Sequence, residues 1–406
     1  MKIIFLSGFF MPEQRPYVEG NSFGVIQNAA DALQLAYLKG LSSILPNDVL
    51  ALNLPFVGSY PKRFRRVFFP GLSERNFGGA RVLGVGFLNL SGVKLLWRAL
   101  AVSKNLISAL GSLEWRNEKK VILVYSAHLP FVIPAFLIGR LFAAKICVIV
   151  PDLPEFMSGS GGKISFFKRI DRALFNFFIK KVEYSVLLTR HMMARLGLED
   201  GRSVVIEGIS NDSLGVQGYE EYGQTKSILY TGTLDPRYGV LKLLDAFLAI
   251  ENPNVELWIC GAGGADRQVE NAAARDGRIK FFGQIGREDA VAMQRKATFL
   301  INPRSSEGEF TKYSFPSKVI EYFSSGRPVI MYRLDGIPSE YYSYCFSPAG
   351  FEVSDLSDCI ERCISMPLKD LNERGALARD FVLTKKNPAV QVGKLINLIS
   401  KDDDDR

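Results

Sequence analysis

Cysteine is sparse and scattered: five residues in 406, with no Cys-x-x-Cys pair, argue against both a disulfide framework and a zinc site. A reducing, cytoplasmic setting is the expectation. Long apolar runs are missing too. The longest such region, residues 121–150, is broken by His128, Pro130, Pro134, Arg140 and Lys145, whereas a membrane-spanning helix needs about 20 apolar residues in a row. A strand at 121–125, a helix at 131–142 and a strand at 146–150 account for it, so no spanning segment is expected. The opening MKIIFLSGFFM has the look of a leader peptide, but no small-residue cleavage site follows and PEQR turns polar at once. A first buried strand is the simpler reading. No internal repeat is evident, which disfavours solenoids and propellers.

What is present is ordinary for a globular protein of two or three domains: 47% hydrophobic and 23% charged residues. Charge is uneven. Residues 1–210 carry 26 Lys+Arg against 14 Asp+Glu, and residues 211–406 carry 24 against 28. In the basic half, bulky apolar and cationic side chains interleave at 62–69, 94–98 and 166–181, a pattern that suits an anionic membrane surface. The alternative is a core stripe of Phe167, Ile170, Leu174 and Phe178 with lysines on a solvated face. No recognition motif accompanies the charge, so nucleic acid is not expected as a partner.

Strand-like runs alternate with helix-length segments throughout the second half. Strands are expected at 228–231, 255–260, 279–282, 298–302 and 328–331, with helices at 240–250, 265–275, 287–296 and from Pro316. Such alternation argues a parallel sheet covered by helices on both faces, with ligands beyond the carboxyl ends of the strands. The first half alternates less cleanly, with strand candidates at 2–7, 49–54, 121–125, 146–150, 186–188 and 204–206. Residues 208–227, rich in Gly, Ser, Asn and Gln, read as a linker. The chain then divides into domains at 1–207 and 228–385, followed by a C-terminal helix and acidic tail at 386–406.

Residues 313–330 read YSFPSKVIEYFSSGRPVI: a helix opened by Pro316, carrying Glu321, and closed by Gly326 and Pro328 before a β-branched strand. A proline-started helix leaves free N–H groups and the positive dipole end outward, which suits a phosphate, and Lys318 adds a full charge there. Glu321, one turn in, is placed to accept hydrogen bonds from ribose hydroxyls. Residues 259–266, ICGAGGAD, approach a dinucleotide fingerprint but have Asp266 where the third glycine belongs. They read either as a turn near a nucleotide or as a turn only.

Four motifs carry a resemblance: YTGTLDPRYGVLKLLDAF at 230–247, LWICGAG at 257–263, FFG at 281–283 and FPSKVIEYFSSGRPVI at 315–330. In order and spacing they resemble the nucleotide-sugar half of family-four glycosyltransferases of the GT-B fold. In the first half, 2–8, 20–40 and 204–208 look like that family's acceptor domain. The resemblance implies an α/β protein of two facing Rossmann-like domains with a central cleft. It implies a nucleotide-diphosphate sugar held by the second domain, an acceptor held by the first, and transfer with retention at the anomeric carbon. No metal and no cofactor are implied, and no Asp-x-Asp ends a core strand. The donor site would use Gly232, Arg237, Gly263, Arg304, Ser317, Lys318 and Glu321; the acceptor side Gly8 and Gly24; and Asp152 and His128 would stand near the reacting sugar. His191 is expected on a helix surface.

The chain departs from the family at three positions. Thr233 and Tyr238 stand where many members carry Arg and Lys, and Tyr313 stands where many carry a glutamate eight residues before the one matching Glu321. Arg237, Arg304 and Lys318 are expected to replace the missing phosphate cations. The FPSK variant resembles bacterial surface-polysaccharide enzymes, which implies a glycan or lipid-linked acceptor, and the basic aromatic first half leads us to expect a peripheral place on the inner face of the cytoplasmic membrane. Two other functions remain open: a non-catalytic GT-B subunit that binds a membrane or partner, and a nucleotide-sugar epimerase, for which Asp152 and Glu155 are the candidate acid and base.

Overall fold

The computed structural model describes residues 1–24, 26–156, 166–210 and 225–404, with the side chains of 166–168 and 402–404 left aside. The chain forms two compact units, Met1–Ile209 with Pro388–Arg406, and Ser210–Asn387. Most of the segment expected as a linker, 211–224, lies outside the described residues.

The first unit runs β1 (Lys2–Ser7), α1 (Arg15–Asn21), α2 (Asn28–Ile44), β2 (Val49–Asn53), β3 (Phe68–Phe69), β4 (Leu72–Phe77), β5 (Ala80–Gly84), β6 (Phe87–Leu88) and α3 (Lys94–Gly111). It continues through β7 (Lys120–Tyr125), α4 (Leu129–Leu141), β8 (Lys145–Val150), α5 (Phe166–Ile179), β9 (Tyr184–Leu187), α6 (Arg190–Leu196) and β10 (Ser203–Val205). Its eight-stranded sheet has the order β10-β9-β8-β7-β1-β2-β5-β4, with β4 antiparallel at the edge and the other neighbouring strands parallel. The central strands read IIFL, VILV and ICVIV and are buried along their length, as parallel strands covered on both faces must be. The sequence order turns outward in both directions from β1, so β1 and β7 flank a topological switch point.

The second unit runs β11 (Lys226–Thr231), α7 (Val240–Leu248), β12 (Val255–Cys260), α8 (Asp266–Arg275), β13 (Ile279–Phe281), α9 (Arg287–Lys296), β14 (Phe299–Asn302), α10 (Lys318–Ser325), β15 (Val329–Met331), α11 (Val353–Ser365) and α12 (Leu368–Lys385). Its sheet is wholly parallel in the order β13-β12-β11-β14-β15, with a switch point between β11 and β14. The alternation in the sequence is therefore the alternation of the fold, with boundaries within two or three residues.

The last helix, α13 (Pro388–Asp404), belongs to the first unit. Val392, Leu395 and Ile399 are fully buried in that unit's core with Tyr37, Leu38 and Leu41 of α2. At the crossing, a Cβ on Gly40 would stand 2.5 Å from the carbonyl oxygen of Pro388, so the glycine lets the backbones meet. Residues 388–404 are thus a structural part of the first unit.

Candidate functional site

Parallel strands deliver their following loops to one edge of the sheet. In the second unit these are 232–239 after β11, 261–265 after β12 and 303–317 after β14. Glycines let the loops pack backbone against backbone. A Cβ on Gly261 would lie 1.8 Å from the carbonyl oxygen of Gly232, and one on Gly239, whose φ is +81°, would lie 2.0 Å from that of Pro303. Leu234 N–H donates to Ala262 O at 3.1 Å and Ala265 N–H to Leu234 O at 2.8 Å, fastening the first two loops together.

Gly263 lies in this clamp. Its N–H donates to Asp266 Oδ1 at 2.7 Å, so the residue that spoils the dinucleotide fingerprint caps the turn. The turn-only reading of 259–266 accounts for that N–H.

Glu321 sits on α10 at the switch point. Its Oε1 accepts from Lys318 Nζ at 2.8 Å and from Gln294 Nε2 at 2.6 Å. Burial pushes the Glu321 carboxyl up, but the Lys318 charge, these hydrogen bonds and the field of Arg287 outweigh it and hold the carboxyl below its ordinary range. The same Gln294 nitrogen lies 3.2 Å from Thr231 Oγ1 at the end of β11. Tyr322 completes the frame: its hydroxyl accepts from Thr231 N–H at 2.9 Å and donates to Thr231 O at 3.0 Å. A carboxylate with a quarter of its side chain exposed is therefore tied to Lys318 and, through Gln294, to the end of β11. Gln294, fully buried on α9, is a site residue that the sequence did not single out.

The three expected phosphate cations have different fates. Lys318 pairs with Glu321, and its charge also opposes the upward push that burial gives the Cys260 thiol, which rises to about 11. Arg237 is tied to its own loop, with Nη2 2.7 Å from Asp235 Oδ2 and its backbone N–H donating to Oδ1 at 2.9 Å. Arg304 is buried, donates Nη2–H to Ser314 Oγ at 2.6 Å, and lies between the rings of Tyr238 and Phe310, 5.4 and 4.7 Å from their centroids. Tyr238 thus forms one wall of an arginine slot. Tyr313 donates its hydroxyl to Glu309 Oε1 at 3.2 Å, and Thr233 O accepts from the Tyr230 hydroxyl at 2.8 Å. Ser317, exposed at the N-cap of α10, makes no side-chain capping bond among the described residues. The helix proper begins at Lys318, two residues after the expected Pro316 start, because Val319 N–H bonds to Pro316 O at 2.9 Å in a preceding tight turn.

In the first unit, Gly8 follows β1 and His128 follows β7, both at the switch point. Gly8 N–H donates to Gln34 Oε1 and Phe10 N–H to Asp31 Oδ1, each at 2.7 Å, so side chains of α2 shape this loop. Asp31, only 1% exposed and also paired with Arg15, was not singled out in the sequence. A Cβ on Gly8 would stand 2.4 Å from the Phe56 ring, which makes close approach the reason for glycine. His128 packs edge-on against Phe56 and Phe131, and burial together with the charges of Arg98 and Lys94 pushes its pKa down to about 3. It is a neutral imidazole. Asp152 is exposed after β8, and its charge is one of the influences that raise the buried Tyr125 hydroxyl. Glu155 bridges Arg172 at 2.6 Å and Arg195 at 2.8 Å. Gly24, with φ +83°, has open space around it, and His191 is exposed on α6 as expected.

The segment 94–98 corrects the surface reading of its charges. Lys94 and Arg98 are 8% and 1% exposed and turn inward, while their apolar neighbours turn outward. No described helix is long and apolar enough to cross a membrane, as the interrupted run at 121–150 led us to expect.

Residues 225–365 match the family described as "Glycosyl transferases group 1". An uncharacterized glycosyltransferase of Methanocaldococcus jannaschii is 23% identical over 252 residues, 61% of this chain and 63% of its own length. A phosphatidyl-myo-inositol mannosyltransferase of Mycobacterium tuberculosis is 28% identical over 179 residues, 42% of this chain and 45% of its own. The chain thus spans less than two thirds of the length of either curated relative. Among solved structures, Anabaena HepE in complex with UDP superposes with a TM-score of 0.63 at 14% identity, covering 99% of this chain and 100% of that one. Sucrose-phosphate synthase of Thermosynechococcus elongatus gives 0.64 at 14% identity with the same coverage. The chain has the GT-B fold of these glycosyltransferase structures, and within its second unit residues 225–365 match the group 1 glycosyl transferase family.

Proposed function

We propose that the protein is a retaining glycosyltransferase that moves a sugar from a nucleotide-diphosphate sugar to a polysaccharide or lipid-linked oligosaccharide precursor at the inner face of the cytoplasmic membrane. The observation that carries this reading is Glu321. An ionised carboxylate fixed by Lys318 and Gln294 at the switch point of a parallel sheet is suited to accept two ribose hydroxyls, while the start of α10 offers N–H groups and the Lys318 ammonium to a diphosphate. Arg304, packed against the rings of Tyr238 and Phe310 and bonded to Ser314, adds a cation on the loop that leads into that helix.

In the reaction, the bond between the anomeric carbon and the phosphate oxygen breaks as the acceptor oxygen bonds to the same face of that carbon. The acceptor proton passes to the departing phosphate oxygen. Negative charge grows on the leaving diphosphate, so fixed cations and helix N–H groups stabilise the transition state more than the ground state. No protein base is needed for the proton. His128, neutral across the physiological range, is suited to a hydrogen bond with a sugar or acceptor hydroxyl. Glu155, held by two arginines, is poorly placed for the acid–base pair an epimerase needs.

Supporting comparisons are HepE, solved with UDP-glucose, and the mycobacterial mannosyltransferases. The test is turnover. Purified protein given UDP-, GDP- and ADP-sugars with a glycan or lipid-linked acceptor should release nucleoside diphosphate and form an axial or equatorial linkage matching the donor. Lys318→Ala and Glu321→Ala should each lower kcat/KM by about 10- to 100-fold, or roughly 1.4–2.8 kcal/mol. Wild-type kinetics in both variants would remove the site assignment, and no transfer or donor hydrolysis at all would favour the non-catalytic subunit.

A further inference from the structure

Helix α3 is built inside out at its start. Its buried stripe is Lys94, Arg98, Val102, Leu106 and Leu110, so the first two inward positions are cations. They turn inward because β2 ends in carbonyls that need donors: Arg98 donates to Leu54 O at 2.7 Å and Pro55 O at 2.9 Å, and Lys94 donates to Val57 O. The Arg98 guanidinium lies over the rings of Phe56, Phe87 and Phe131. The outer side of the same two turns carries Leu95, Leu96, Trp97 and Leu100, exposed by 55, 62, 44 and 59%. Packing within the unit leaves much of each in solvent.

A second exposed apolar stretch lies in the β3–β6 ladder, which leads into the turn that starts α3. Phe68 pairs with Leu88 in the β3–β6 ladder, and Asn89 N–H donates to Val67 O at 2.7 Å just before the turn that starts α3. Val67 and Phe68 are 44% and 49% exposed. Immediately before them Lys62, Arg63, Arg65 and Arg66 are all exposed. Residues 49–113 hold nine Lys+Arg and one acidic residue, Glu74; of the nine, Lys94 and Arg98 are buried and Arg81 pairs with Glu74 and Glu114.

We propose that the outer face of α3 together with the 62–68 segment docks on an anionic lipid bilayer, with Leu95, Leu96, Trp97 and Leu100 entering the headgroup boundary and the 62–66 cations engaging lipid phosphates. A helix with Leu and Trp on one side, near in sequence to the exposed cations Lys62, Arg63, Arg65 and Arg66, matches that partner in both polarity and charge. A second copy of the chain fits less well, because a two-fold contact would set the same basic segment against itself. The inference deepens the membrane location proposed above by naming the docking surface; it rests on the first unit alone, so failure of the transfer assay would leave it standing.

The test is co-sedimentation of the full chain with vesicles at low salt. Vesicles containing about one third phosphatidylglycerol should pull the protein down, pure phosphatidylcholine vesicles should not, and raised salt should release it. Leu96→Asp with Leu100→Asp, and separately Arg65→Glu with Arg66→Glu, should each cut the bound fraction at least about tenfold without moving the melting temperature, since all four side chains are exposed. Three results would overturn the proposal: wild-type protein left in the supernatant with anionic vesicles, undiminished sedimentation of the double-aspartate variant, or a solution dimer that this variant dissolves.

Discussion

His128 is held neutral, and that has a measurable consequence. Its ordinary pKa of 6.5 in the unfolded chain falls to about 3 in the fold, through burial and the nearby Arg98 and Lys94 charges. Between those values the unfolded chain binds more protons, so the contribution to stability is full above about pH 6.5 and declines as pH drops toward 3. Urea titrations at pH 7 and pH 5 should differ by up to about 2 kcal/mol from this residue, trimmed by the partial exposure of its ring, and His128→Asn should lose that part of the difference. An unchanged pH dependence in the variant would show that the imidazole is solvated. Single residues were legible from sequence when a local pattern marked them. Lys318 and Glu321 stand at fixed places after Pro316. Gln294 did not stand out, because it lies in REDAVAMQRK, a helix that reads as a charged surface; only the crossing of α9 and α10 turns it inward to Thr231 and Glu321. Arg237 was legible as a cation but its pairing with Asp235 was not, since that depends on the tight turn at 236–238.

The elements that hold the second unit's site are loops clamped through glycine. Gly239 combines a left-handed φ of +81° with a Cβ position 2.0 Å from Pro303 O, so Gly239→Ala must both strain its own backbone and push the 303–317 loop away. The expected cost is about 2–4 kcal/mol in chemical denaturation, with a loss of donor affinity, because Arg304 follows Pro303 directly. A variant as stable as wild type would mean that the loops are not packed as described. The strands of both units were largely visible from their runs of β-branched residues. Helix α3 was visible only as a mixed basic and aromatic run, and its orientation could not be read. Helices normally bury the apolar face, and here the demand of the carbonyls after β2 reverses that rule for two turns. The edge strand β4 reads LSERNF and is mostly exposed, so neither alternation nor hydrophobicity announced it.

At the scale of the whole molecule, each unit is a Rossmann-like sheet with its own switch point, and the chain returns to the first unit at its end. The sequence presents 386–406 as a helix with an acidic tail, and KDDDD conceals that Val392, Leu395 and Ile399 are core residues. Deleting residues 388–406 should expose the α2 side of the first core, lowering the melting temperature of that unit by well over 5 °C and leaving the second unit's transition in place. A single unchanged melting curve would contradict the assignment of α13. Charge follows the same division, with the basic excess in the first half and a slight acidic excess in the second. The resemblance in the sequence was clear over the second unit because its ligand loops are short and motif-bearing, and thinner over the first, where the sheet is built from generic apolar strands.

The central claim is that the second unit grips a nucleotide-diphosphate sugar through Glu321, Lys318 and the start of α10. The most direct measurement is thermal unfolding of the wild-type chain and of Glu321→Ala against UDP-, GDP- and ADP-sugars, since a ligand that binds only the folded state raises its apparent stability with concentration. One nucleotide class should raise the wild-type melting temperature in a saturable way, and Glu321→Ala should need about 10- to 100-fold more ligand for the same shift. No shift with any nucleotide sugar, or an equal shift in the variant, would contradict the claim.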